Sequence, residues 1–238
     1  MEPAPISTRA GGAERRFYGL AAALAALIAF AGFARTYYLK GAFGSPALPG
    51  LVHLHGIVMT AWIVLFAVQA SLVAARRVDL HRKLGIAGAA LAALVVIVGV
   101  ATAIEGARRG VSPGPPPLVF LAIPVGVVLA FGLLVGAAIA NRRRGDWHKR
   151  LMLVGAFTVL TPAIARIPID SLHAGGIIAF FAITDLLAIA CIAWDTARNR
   201  RLHPAFAWGG IFLVLWQAGT LAVAQSAAWQ PVARWLVG

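Results

Sequence analysis

Charge is scarce in this 238-residue chain and acid scarcer still: eight Asp and Glu stand against twenty-one Lys and Arg, and charged residues make up 12% of the total. A soluble domain carries about 25% charged residues, so with 61% of its residues hydrophobic the chain is unsuited to water. Cysteine is nearly absent. The single Cys191 lies in an apolar run, which rules out an intramolecular disulfide and a C-x-x-C redox or zinc motif. There is no P-loop, no G-x-S-x-G, no H-E-x-x-H and no G-x-G-x-x-G at a strand-helix turn, so hydrolase and nucleotide chemistry are not expected. The last apolar run also lacks a lysine for a retinal Schiff base.

What is present is hydrocarbon in helix-length blocks. Apolar runs at 17–34, 51–75, 84–104, 117–140, 151–169, 175–195 and 205–227 each approach the length that crosses ~30 Å at about 1.5 Å per residue. Pro46 and Pro49 precede the second run, Pro113 and Pro115 to Pro117 the fourth, and Pro204 opens the seventh, all positions suited to helix starts. The reading is an all-α, polytopic transmembrane bundle of about seven spans. Residues 1–16 are expected as a flexible cytoplasmic tail, 17–227 as one membrane domain and 228–238 as an outer interfacial tail. The first run exceeds the usual apolar core of a signal peptide and is expected to remain as a helix.

The net charge of +13 would suggest nucleic acid in a soluble protein, but here it is sorted between alternate connections. Arg9, Arg15, Arg16, Arg76, Arg77, Arg82, Lys83, Arg142, Arg143, Arg144, Lys149, Arg150, Arg198, Arg200 and Arg201 fall at one end of the runs. Arg35, Lys40, Arg108, Arg109, Arg166 and Arg234 fall at the other. Basic residues stay in the cytoplasm, so the N-terminus is expected inside and the C-terminus outside, and nucleic acid is not an expected partner. Trp147, Trp194 and Trp208 mark the inner boundary and Tyr37, Tyr38, Trp229 and Trp235 the outer one, whereas Trp62 and Trp216 fall near mid-depth as packing or cavity-lining residues.

A short repeat opens the third and fifth runs: Asp79-Leu80-His81-Arg82-Lys83-Leu84 and Asp146-Trp147-His148-Lys149-Arg150-Leu151 share Asp-x-His-basic-basic-Leu. Leu202-His203-Pro204 stands at the equivalent place before the seventh run. Asp79 and Asp146 are placed to cap their helices, and His81, His148 and His203 read chiefly as interfacial residues.

Ionisable groups inside a bilayer are costly and are functional candidates by default. Asp185 sits mid-run in the sixth span, with Gln217 and Thr161 at similar depth; these three form the candidate proton or ion pathway. Pro162 removes a backbone donor after Thr161 and predicts a kink. The outer half holds His53, His55, Arg166, Asp170 and His173, a candidate cofactor pocket in which the three histidines are the metal candidates and Arg166 is available to Asp170 or to an anionic group. Residues two apart on a helix point about 200° away from each other, so His53 and His55 cannot both face one metal from a helix. Gly132 to Gly136 offers a small-residue face for close packing.

The stretch from His53 to Leu84, with His-x-His at one end and Asp-x-His-Arg-Lys-Leu-Gly at the other, resembles a group of uncharacterised bacterial integral membrane proteins. In style it is similar to diheme b-type cytochromes and oxidase-assembly membrane proteins. The resemblance implies haem b or a transition metal as cofactor, the bacterial inner membrane as location, and a larger membrane redox complex or a second copy as partner beside the lipid bilayer. It makes His53, His55 and His173 the outer ligand candidates and His81 and His148 the inner ones. The leading expectation is an outer pocket that binds haem or a metal for electron transfer or redox-complex assembly. A small proton-coupled transporter or channel built on the Asp185 layer, and a structural accessory subunit, are the alternatives.

Overall fold

The computed structural model describes residues 8–238, and among them there are helices and no strand. In chain order they are α1 (Thr8–Phe33), α2 (Gly50–Ala74), α3 (Val78–Arg108), α4 (Pro117–Ala140), α5 (Gly145–Thr158), α6 (Thr161–Ile164), α7 (Asp170–Ala174), α8 (Gly176–Asn199), α9 (Pro204–Gln225) and α10 (Trp229–Val237). A π-helical turn, Ala34–Tyr38, extends α1. Six helices, α1 to α4, α8 and α9, are long and apolar enough to cross a membrane. The fifth run is the exception.

That run was expected as one helix from 151 to 169, kinked at Pro162. It is instead broken into α5 and α6, with residues 165–169 outside any helix. Pro162 has no N–H for the Thr158 carbonyl; the Thr161 hydroxyl donates to that carbonyl at 3.3 Å in its place. A tight bond from Leu160 N–H to the Phe157 carbonyl, 2.9 Å, turns the chain at the break. The proline thus costs the run its continuity, while a neighbouring side chain meets part of the lost bonding.

Both expected tails contain helix. Residues 8–16 are the first turns of α1, and the remainder of that tail, 1–7, lies outside the described residues. The C-terminal segment is the amphipathic helix α10, with Ala233 buried and Trp235 79% exposed. Arg108 Nε donates to the Val237 carbonyl at 2.6 Å and ties α10 to the end of α3.

A helix apolar on every side belongs in the middle, and α4 has no charged or amide-bearing side chain along its length. It packs against α3, α5, α9 and α10 and buries eleven residues, among them Leu121, Phe131, Leu134 and Ala138. Trp62 of α2 meets Phe131 edge-to-face at 4.9 Å, and Trp216 of α9 donates its indole N–H to the Gly126 carbonyl at 2.8 Å. Both mid-depth tryptophans therefore bind the periphery to α4, and Trp216 also borders a small cavity. Of the small-residue face, Gly132 is needed, since a Cβ there would stand 2.9 Å from Val96, whereas Gly136 faces open space.

Candidate functional site

The outer residues divide. His53 is exposed and its ring lies 5.7 Å from that of Tyr37, while His55 turns inward with its Nδ1 buried and without a hydrogen bond. The helical spacing dictates this separation. Gly56 admits the Tyr37 ring beside this turn, because a Cβ there would collide with it at 2.3 Å. The Arg166 guanidinium lies 4.8 Å over Phe33 and donates to the Pro162 carbonyl at 2.8 Å. His173 is directed to the Ala165 carbonyl at 3.2 Å, and Asp170 is exposed without an Arg166 ion pair among the described residues. Hence the three histidines have different surroundings, and no three His, Cys, Asp or Glu of the described residues are grouped to hold a metal ion.

At mid-depth the hydroxyls of Thr161 and Thr184 bond at 2.9 Å, closing α6 onto α8. Beside them a cavity of about 10 Å³, lined by Thr158, Thr161, Trp216, Gln217 and Thr220 among others, has room for one water. Asp185 is one residue further and points elsewhere: the Gln217 side chain is its hydrogen-bonding neighbour, and its Oδ1 is buried and unbonded. The expected layer is thus two units, a satisfied hydroxyl pair and a half-buried carboxyl, with Gln217 between them.

The basic end is the richest part of the molecule. The repeated motif brings His81 of α3 and His148 of α5 face to edge, ring centres 6.2 Å apart at 79°. The His148 Nδ1 meets the Ala138 carbonyl of α4 at 2.9 Å, and a carbonyl can only accept, so Nδ1 is the donor of this bond. The His81 Nδ1 and the neighbouring Gln69 Oε1 are both buried without a hydrogen bond. The pair thus has two orphaned polar atoms beside it.

Two residues beyond His148, the same motif builds a second structure. Arg150 Nε and Nη2 donate to both oxygens of Asp195 at 3.0 and 2.7 Å, its Nη1 donates to the Asp146 carbonyl at 2.9 Å, and the two side chains are 5% and 0% exposed. Phe206 lies under the guanidinium at 5.7 Å. Around this pair Phe17 stacks on Trp194 at 3.8 Å and Lys149 pairs with Glu14, so α1, α5 and α8 are locked together. Arg150 reads in the sequence as a topogenic charge and Asp195 has no evident role there; the available signal is a second acid, after Asp185, closing the sixth apolar run.

The caps expected of Asp79 and Asp146 are not formed: Arg77 and Arg144 occupy the cap positions, and neither makes a side-chain cap bond. Asp146 instead accepts from His203 Nε2 at 3.0 Å, while His203 Nδ1 accepts from the Ala205 N–H at 3.1 Å and caps α9. Partial desolvation raises the Asp146 carboxyl, but the His203 bond and the backbone N–H groups of Trp147 and Asp146 outweigh it and hold the group below the ordinary carboxylate value.

Compared with family models, curated proteins and solved structures, the chain matches none.

Proposed function

We propose that this protein is a seven-span b-type haem protein of a bacterial cytoplasmic membrane, with its basic end in the cytoplasm and α5 and α6 together forming a broken fifth span. The observation that carries the reading is the His81–His148 pair. Two imidazoles bound on opposite sides of one metal at about 2.0–2.1 Å per bond have ring centres about 6 Å apart, and these stand 6.2 Å apart.

In this reading a two-histidine donor set is better suited to haem than to a bare ion. A bare zinc or copper ion takes three or four protein ligands, and the described residues offer no such group. Haem iron brings four equatorial nitrogens of its own and needs two axial ligands. Covalent attachment through C-x-x-C-H is impossible with one cysteine, so the group would be held by its axial bonds and by packing. His148, oriented by the Ala138 carbonyl, and His81 would together hold the iron. Arg82, Lys83, Arg142 and Arg143 border the pair in sequence and offer positive charge to propionates. Bound there, haem supplies a one-electron couple, which suits electron transfer within a membrane redox complex.

This reading prefers the basic end to the outer pocket expected from sequence, on the ground that His81 and His148 are neighbours. Haem and iron content of the purified protein tests the reading: close to one haem per chain is expected, with His81→Ala and His148→Ala each losing most of it while remaining monodisperse. Haem retained in both variants would refute the assignment. Reporter fusions in the 76–83 and 142–150 connections are expected to report the cytoplasm, and in the 109–116 connection the outside.

A further inference from the structure

The small cavity at mid-depth sits against the break in the fifth run. Thr158 closes α5 and Thr161 opens α6, and both line the cavity together with Gln217 and Thr220 of α9. These four side chains are 2, 3, 7 and 9% exposed, so an occupant is met by them and not by solvent. Their hydrogens are already committed. Thr158 Oγ1 donates to the Val154 carbonyl at 3.0 Å and Thr220 Oγ1 to the Trp216 carbonyl at 2.8 Å. Whichever way the Thr161–Thr184 bond runs, those two hydrogens go to each other's oxygen or to the Thr158 and Phe180 carbonyls. The Trp216 indole N–H is turned to Gly126. The Gln217 side chain serves Asp185; a carboxylate accepts, so the amide N–H donates and the amide oxygen is left for the cavity.

The lining thus offers lone pairs. An anion is repelled, and one water has two hydrogens for the four oxygens of Thr158, Thr161, Gln217 and Thr220 and finds no donor for its own lone pairs. Divalent ions fit no better, since Ca²⁺ takes about 6–8 oxygens, carboxylates among them, and Mg²⁺ keeps several waters. No acidic side chain among the described residues lines the cavity, and its volume of about 10 Å³ holds one water-sized body. A dehydrated monovalent cation uses every oxygen at once. Two features supply the negative potential it needs. α5 ends at Thr158, and a helix C-terminus carries roughly half a negative charge; Asp185 stands one hydrogen bond behind Gln217. Pro162 exposes the first of these, because the Thr158 carbonyl takes a side-chain hydroxyl at 3.3 Å in place of a backbone N–H. Carbonyls at broken spans coordinate Na⁺ near mid-bilayer in secondary transporters. We infer that this cavity binds one Na⁺, held by oxygens of Thr158, Thr161, Gln217 and Thr220. The site shares no residue with the His81–His148 pair and stands or falls independently of it.

The test is scintillation-proximity binding of radiolabelled Na⁺ to the full chain in nanodiscs, in choline chloride buffer, choline being too large for the cavity. Saturable binding near one Na⁺ per chain is expected. Thr220→Val keeps the side-chain shape and removes the oxygen, and it and Gln217→Leu are each expected to weaken binding about tenfold or more, as the loss of one polar contact to a charged group does. Thr102→Val is the matched control: that hydroxyl also donates one turn back, to the Val98 carbonyl at 2.7 Å, but it lies on α3 outside the lining, so binding as in the parent is expected. His81→Ala is expected to bind as the parent does. A folded parent without saturable Na⁺ binding would show that the cavity holds water only, and undiminished affinity in Thr220→Val would show that these oxygens do not hold the ion; either result overturns the inference. Should Gln217→Leu fail to fold, the parent isotherm and Thr220→Val still decide it.

Discussion

Arg150 and Asp195 form a two-pronged ion pair, 3.0 and 2.7 Å, that is closed to solvent at the basic end of the bundle. The third donor of Arg150, to the Asp146 carbonyl, leaves the guanidinium well satisfied, and Asn199 in turn donates to the Asp195 carbonyl at 2.8 Å. Removing one member strands the other charge, a loss of about 3–5 kcal/mol for a buried pair. Arg150→Met and Asp195→Leu are therefore each expected to lower the unfolding midpoint sharply in detergent. The double variant should recover much of the loss. Additive losses in the double-mutant cycle would show that the two groups do not act as a pair.

Close approach of α1 to α6 depends on Gly32. A Cβ there would stand 2.1 Å from the Ala163 carbonyl oxygen, and backbone cannot yield as a flexible side chain does. Gly32→Ala is expected to destabilise by about 1–3 kcal/mol, the usual range for overpacking. Gly136→Ala, where the added carbon meets nothing within 4 Å, is expected to change stability by no more than about 0.5 kcal/mol. Paired thermal melts compare them.

The Asp146–His203 contact predicts a weak acid sensitivity. A carboxyl held below its ordinary value stabilises the fold above its unfolded pKa of about 3.9, and that stabilisation is lost as pH falls through the lower folded value. With the Asp146 side chain 51% exposed, the effect is that of a surface pair, about 0–1 kcal/mol. Melting midpoints between pH 6 and pH 3 should fall slightly more for the parent than for His203→Ala. Equal slopes would remove the contact from the account.

Much of the fold was legible because hydrocarbon imposes length and alternation: the six long helices coincide with apolar runs, and Pro162 marked the place where the fifth fails. Thr161 as the substitute donor was not legible, since the same hydroxyl also serves Thr184 and only the packing reveals both. Helical spacing alone foretold that His53 and His55 would part. It could not foretell that Arg166 would settle over Phe33 rather than on Asp170, because that choice belongs to the non-helical turn after α6. The repeat drew attention to His81 and His148 as two similar helix starts. Their partnership depends on α4 holding α3 and α5 on either side of it, a relation between distant segments that no local pattern carries. Arg150 was hidden among topogenic charges for the same reason.

The central claim is that His81 and His148 are axial ligands to one haem, and the reduced-minus-oxidised absorption spectrum of the purified parent tests it most directly. The account predicts the sharp α-band of a six-coordinate, low-spin b-type haem, lost in His81→Ala and in His148→Ala. A parent protein with no Soret or α-band after expression under haem-replete conditions, or a five-coordinate high-spin spectrum unchanged by both substitutions, would contradict it.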